Sequence, residues 1–205
     1  MIIAIDGPAG AGKSTVAKKV AEKLGFRYLD TGAMYRAVTA RVLQENVSLS
    51  DVNAILKIAG TIDYSNIDEK IIRQEQISRY VSEIAKISSL RTLLQKHQRL
   101  IAHQTDIVAD GRDIGSVVFP SAELKIYLDA NLEERSKRRF LELKKKGINT
   151  SLEKIKENIL IRDKNDMARE ASPLVKLPEA IVIDTTGCSV SEVVNTICKL
   201  AYNYR

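Results

Sequence analysis

The sequence predicts an α/β fold, a parallel sheet with helices on both faces, and three observations carry that prediction. Short apolar runs such as IIAID (2–6), DIVAD (106–110) and AIVID (180–184) read as strands buried on both faces. Stretches of helical periodicity separate them, and capping signals punctuate the joins. The chain has 205 residues, of which 44% are hydrophobic and 28% charged. A chain of that length buries roughly two thirds of its unfolded surface, enough for a proper core in one domain, 1–205, with insertions.

The elements follow in order. IIAID ends in glycine, a helix from Ser14 to Leu24 comes next, and Gly25 is placed as its C-terminal cap. FRYLD (26–30) is a second strand, followed by a helix over 32–44 that carries Met34, Val38 and Val42 on one side. Residues 62–75 are short and mixed, without a dominant period. From Ile77 to His103 the period is helical, with room for two helices. DIVAD, ELKIYLD (123–129) and AIVID supply three more strands. The intervening helices open with capping patterns, Asn131 with Glu134 and Thr150 with Glu153, as does the last with Ser189 and Glu192.

The composition excludes some roles. No apolar run approaches the roughly 20 residues of a membrane span. MIIAIDGPAG reaches glycine within seven residues and lacks a basic start, unlike a secretory signal. The expectation is a cytoplasmic protein with no membrane partner. Cys188 and Cys198 have no metal-ligand spacing and read as reduced thiols, and two histidines alone cannot build a zinc site. A net charge of +6 fits an anionic partner without saying which. Lys144, Lys145 and Lys146 form a pure basic run, and a solvated helix end explains them.

GPAGAGKS matches G-x-x-x-x-G-K-[ST] directly after a strand and at the start of a helix. Gly7, Pro8, Ala9, Gly10, Ala11 and Gly12 would turn backbone N–H groups around a phosphate, Lys13 would reach the β and γ phosphates, and Ser14 with Thr15 would complete the ATP-binding set. Ser14 would also hold Mg²⁺, with Asp110 at the end of an apolar strand as the acidic partner. Asp6 is a rival for that role, although anchoring of the loop suits its position equally well. Three uses of a triphosphate remain: a switch, a motor and a small-molecule kinase. DTTG (184–187) and DKND (163–166) imitate switch motifs, yet DKND begins with aspartate, lies in a helix and precedes DTTG, the reverse of the order a switch uses. A kinase needs a second anion site. Arg36, Arg91, Arg112, Arg162 and Arg169 offer one.

One resemblance sharpens this reading. IAIDGPAGAGKSTVAKKVAEKLGFRYLDTGAMYRAVT (3–39), ADGRDIGSVVFP (109–120), LKIYLDA (124–130) and IRDKNDMAREASPL (161–174) closely resemble bacterial-type cytidylate kinase, which phosphorylates CMP and dCMP with ATP in pyrimidine nucleotide metabolism. YLDTGAMYR and DGRDIGSVVFP carry more specificity than the phosphate loop. The resemblance implies a five-stranded parallel core of order 2-3-1-4-5, an acceptor-binding insertion over about 33–90 and a lid over about 132–170. It implies small nucleotides as partners, no nucleic acid, and a monomer. Position by position it places Thr31, Arg91, Asp113 and Arg169 near cytosine, Ser82, Arg162 and Asp166 near the pentose, and Arg36 and Arg112 on the acceptor phosphate. A carboxylate beside a guanidinium suits cytosine, whose N4 donor adjoins the N3 and O2 acceptors. Arg135, Arg138 and Arg139, in ERSKRR, stand at helical spacing in the implied lid as candidates to neutralise the transferring phosphoryl group, together with Lys13 and Arg162. IRQEQI (72–77) departs from the IRT-x-EV segment and the longer insert usual in the family, and the Ser82 assignment rests on that region. Rival readings are a kinase for another acceptor, such as UMP or dephospho-coenzyme A, and a nucleotide-dependent binding protein.

The stretch IRDKNDMARE (161–170) poses a puzzle of its own. Leu152, Ile155 and Ile159 form an apolar helical stripe that runs on through Arg162, Asp166 and Arg169. The stripe is expected to pack on protein at first and then overhang a ligand cleft. A network of surface pairs, worth ~0.2–0.5 kcal/mol each, is the bland alternative.

Overall fold

The computed structural model describes every residue except Gln104 and Arg205. The strands are β1 (Ile2–Asp6), β2 (Arg27–Asp30), β3 (Ile107–Asp110), β4 (Leu124–Asp129) and β5 (Ile181–Asp184). The helices are α1 (Lys13–Leu24), α2 (Thr31–Gln44), α3 (Val52–Thr61), α4 (Glu69–Ile72), α5 (Glu75–Ile84), α6 (Ser88–Ala102), α7 (Leu132–Lys145), α8 (Leu152–Met167) and α9 (Val190–Asn203). They fall into two compact units, one of Met1–Leu29 with Gln104–Arg205 and one of Asp30–His103.

The first unit holds the parallel sheet, in the expected order β2-β3-β1-β4-β5. Ile3 lies opposite Val108 of β3 and Leu124 of β4, so β1 is flanked on both edges. Its Ile3, Ala4 and Ile5 are fully buried, which is why the run is apolar throughout. β5 differs. It stands at the edge, and Val182 is 47% exposed where the sequence reading treated AIVID like the other strands. Ile3, Ile5, Val16, Val20, Ile126 and Ile197 close a core between sheet, α1 and α9. α1 ends as predicted at Gly25, whose φ of 70° is the left-handed conformation that spares glycine a steric cost. α9 opens with the complete Ser189/Glu192 capping box.

Two starts differ from expectation. Asn131 accepts from the Glu134 N–H at 2.8 Å, but the Glu134 carboxylate pairs with Arg138 at 2.9 Å instead of turning back. For α8 the cap is Ser151, not Thr150: Ser151 has extended backbone and its hydroxyl accepts from the Lys154 N–H.

The stripe on α8 also differs. Its buried face is Ile155, Ile159, Asp163 and Asp166, while Leu152 is 38% exposed and Arg162 sits on the flank. A helix of 3.6 residues per turn places positions three and four ahead on nearly the same face, and here the step of four from Ile159 is the buried one. The helix stops at Met167, so Arg169 lies beyond it. The Leu174 N–H then donates to the Asp166 carbonyl at 2.8 Å, satisfying one of the groups a helix end leaves open.

The second unit is helical. α2 matches the predicted 32–44 helix, with Asp30 accepting from the Ala33 N–H at 2.8 Å and with Met34, Val38 and Val42 buried. The helical region from Ile77 resolves into α5 and α6. α3 and α4, capped by Asp51 and Asp68, lie in stretches where the sequence reading assigned nothing. Among the described residues no helix is long and apolar enough to cross a membrane.

Ser151→Ala is expected to lower the unfolding free energy by about 1 kcal/mol, and Thr150→Ala by less than about 0.5 kcal/mol, in urea melts. Equal losses would return the cap to Thr150.

Candidate active site

The phosphate loop leaves β1 and enters α1, and its glycines Gly7, Gly10 and Gly12 all adopt positive φ. A Cβ on Gly7, at φ 149°, would lie 2.0 Å from the Leu128 carbonyl oxygen of β4. Gly12 precedes α1 with φ 89°. Lys13 is buried, and its Nζ donates to the Pro8 carbonyl at 2.7 Å. Burial, reinforced by the charge of Arg112, pulls the Lys13 ammonium well below the ordinary lysine range, and Asp110 pulls it back up. The Ser14 hydroxyl donates to Asp110 Oδ2 at 2.9 Å, and the Tyr28 hydroxyl holds Oδ1 at 2.7 Å. Ser14 and Asp110 thus present hard oxygen donors side by side, the set that a Mg²⁺ shared with phosphates accepts.

Asp6 supports the backbone turn that follows β3. Its two oxygens accept the N–H groups of Ile114 and Gly115 at 2.9 and 2.8 Å, so it anchors the wide turn Ile114–Val118 that follows Arg112 and Asp113. Such i→i+5 turns recur at functional sites. Burial pushes the Asp6 carboxyl up to about 6, against the pull of those two N–H groups.

A charged cluster surrounds Asp166. Arg112 Nε donates to Asp166 Oδ2 at 2.8 Å, Arg169 donates to Oδ1, and Arg162 Nε stands 4.0 Å from Oδ2. Burial alone would raise the Asp166 carboxyl, but Arg112, Arg162 and Arg169 hold it below the usual carboxylate range. Asp113 is also buried in this unit.

The three lid-arginine candidates separate. Arg135 is buried and donates to the carbonyls of Ala130 and Ala9 at 3.0 and 2.9 Å. Arg138 donates to the Thr185 hydroxyl and carbonyl at 2.9 and 2.6 Å, and a Cβ on Gly12 would lie 3.7 Å from its Nη1. Arg139 pairs with Glu142 on the outer flank of α7. DKND lies within α8, as the argument against a switch required.

In the second unit, Thr31 begins α2 and is buried. Arg36 Nη1 donates to the Ser78 hydroxyl at 2.9 Å and the Ile72 carbonyl at 3.3 Å. Arg91 is buried on α6, with its guanidinium 5.2 Å from the Tyr35 ring centroid. Ser82 is half-buried on α5.

This arrangement is joined by a family match. The family model for cytidylate kinase matches residues 3–203. The chain belongs to the cytidylate kinase family. A cytidylate kinase of Caldanaerobacter subterraneus subsp. tengcongensis is 49% identical, the match covering 95% of this chain and 92% of the relative. One from Alkaliphilus oremlandii is 46% identical over 97% and 96% of the two chains. Among solved structures, an uncharacterised protein from Eubacterium ventriosum shares the fold, with TM-score 0.59, 15% identity and coverage of 98% and 97%.

The sequence reading missed Asp163, Tyr28 and Thr185. Asp163 was legible only as part of a failed switch motif. Nothing in a single sequence tells a strand tyrosine that holds a carboxylate from one that packs.

The Asp6 carboxyl yields a pH test. A folded-state value of about 6, above the ordinary 3.8, means that the folded protein binds the extra proton between those values, so this term loses stability as pH rises from about 4 to 6. The expected loss is on the order of 3 kcal/mol. Urea melts of the wild type and Asp6→Asn across that window should show the wild type's advantage shrinking with pH; an advantage that grows would reverse the assignment.

Proposed function

We propose that the protein transfers the γ-phosphoryl group of ATP to CMP and dCMP, giving ADP and CDP or dCDP. The single observation that carries this reading is the pairing of a complete phosphate loop with the buried Arg112–Asp166–Arg169 cluster in one unit of a cytidylate kinase family member. The loop N–H groups receive the donor's β-phosphate, and Lys13 leaves the Pro8 carbonyl to follow the transferring group. Ser14 and Asp110 hold Mg²⁺, which when bound offsets the negative charge of the β and γ phosphates. An acceptor phosphate is already ionised, so no general base is required. Rate enhancement comes from alignment and charge neutralisation.

The unit Asp30–His103 supplies acceptor ligands, Arg36 for the phosphate with Thr31 and Arg91 at the base, and Ser82 at the pentose. Arg112 also meets the acceptor phosphate, Asp113 and Arg169 the base, and Arg162 and Asp166 the pentose. Residues 132–170 act as the lid. Arg138, whose Nη1 would lie 3.7 Å from a Cβ on Gly12 of the phosphate loop, and Arg162, beside Asp166, are the lid arginines offered to the phosphoryl group. The protein works as a cytoplasmic monomer.

A coupled ADP-release assay over CMP, dCMP, UMP, dTMP and AMP tests the reading. Turnover with CMP and dCMP at least tenfold above UMP is expected, because each mismatched buried polar contact costs about 1–3 kcal/mol. ATP binding without turnover on any acceptor would instead indicate a nucleotide-dependent binding protein. Asp113→Ala should raise the CMP KM more than the ATP KM; equal rises would remove Asp113 from the base contact.

A further inference from the structure

Two successive peptide planes of the phosphate loop are held from outside by charged side chains of α7 and α8. The Pro8–Ala9 peptide is trans, as are all peptide bonds among the described residues, so its carbonyl and N–H point in opposite directions. Its carbonyl accepts Lys13 Nζ at 2.7 Å, and its N–H donates to Asp163 Oδ1 at 2.9 Å. The peptide dipole is thus aligned between an ammonium and a carboxylate. In the next peptide, Ala9–Gly10, the carbonyl accepts Arg135 Nη1 at 2.9 Å, which turns the Gly10 N–H to the side away from that guanidinium.

Asp163 and Arg135 also pair with each other, at 6% and 8% exposure. Gly10 packs directly on α7, where a Cβ would lie 3.1 Å from Arg135 Cβ and from its carbonyl oxygen. Neither plane can rotate without breaking a buried, charge-assisted bond, and those bonds are roughly twice as strong as neutral ones.

We infer that Asp163 is a positioning residue of the donor loop: with Arg135 it fixes the peptide planes on either side of Ala9, and through the Pro8 carbonyl it sets where the Lys13 ammonium rests. The seating of α8 is thereby transmitted to the group that follows the transferring phosphoryl. This rests on the reading of the loop as an ATP site.

The test uses the full chain with Asp163→Ala and Asp163→Asn. Mg²⁺–ATP affinity is measured by calorimetric titration without acceptor, alongside KM for ATP and CMP, kcat and thermal midpoint. The alanine variant should bind ATP about ten- to a hundredfold more weakly, with a matching rise in ATP KM and a CMP KM within about twofold of wild type. The asparagine variant, which still offers an oxygen to the Ala9 N–H, should recover part of the loss. If the alanine variant fails to fold, the asparagine variant decides, a weakened ATP affinity supporting the inference. A lower thermal midpoint with unchanged ATP affinity in folded protein would reduce Asp163 to a support of the fold and overturn it. Because the titration contains no acceptor, it remains readable even if the protein fails to phosphorylate CMP.

Discussion

The first unit is organised around one buried carboxylate that three guanidinium groups share. Guanidinium groups gathered around one point repel one another, and a shared carboxylate offsets that repulsion. Arg112, Arg162 and Arg169 therefore need Asp166 among them, and Lys13, which feels the charge of both Arg112 and Arg162, needs it too. Removing one partner of such a buried set typically costs 3–5 kcal/mol, because the remaining charges are left uncompensated. Both Asp166 oxygens are engaged, by Arg112 on one and Arg169 on the other, and Arg162 stands 4.0 Å from the first.

The phosphate loop shows the complementary economy. Gly7 cannot carry a side chain against the Leu128 carbonyl, so the loop hugs β4 closely. Asp110 receives Ser14 on one oxygen and Tyr28 on the other, which links α1, β2 and β3. Asp6 does the equivalent work for the wide turn at Ile114–Val118, and so for Arg112 and Asp113 just before it. Of these two strand-end carboxylates, Asp6 fixes backbone and Asp110 fixes side-chain hydroxyls.

How much of this was legible depends on the kind of signal. The sheet and the loop were readable because burial on both faces forces apolar runs and the loop needs glycine at fixed offsets, whereas the strand order came only through the family resemblance. Gly25 and Ser189 announced their helix ends through the chemistry of caps. α8 shows the limit: period 3.6 does not choose between Arg162 and Asp163 as the inward residue, and only packing against α7 does. Ser151 displaced Thr150 for a similar reason, since either hydroxyl fits a capping pattern and the backbone conformation decides. α3 was passed over although Ile55, Ile58 and Ala59 are spaced as a buried helical face should be. The three arginines of ERSKRR were indistinguishable in sequence because their roles are set by Ala9, Thr185 and Glu142, partners that the fold selects.

The most direct measurement of the central claim is the titration of the Asp166 side-chain carboxyl, followed by its carbon chemical shift in labelled protein and identified by its loss in Asp166→Asn. A midpoint below the ordinary aspartate value of 3.8 is expected, since Arg112, Arg162 and Arg169 outweigh burial. The stability it contributes would be fully present above that value and lost only as pH falls through the lowered one. A midpoint at or above the ordinary value would mean that the guanidinium groups do not converge on this carboxylate, and the organisation of the first unit would have to be sought elsewhere.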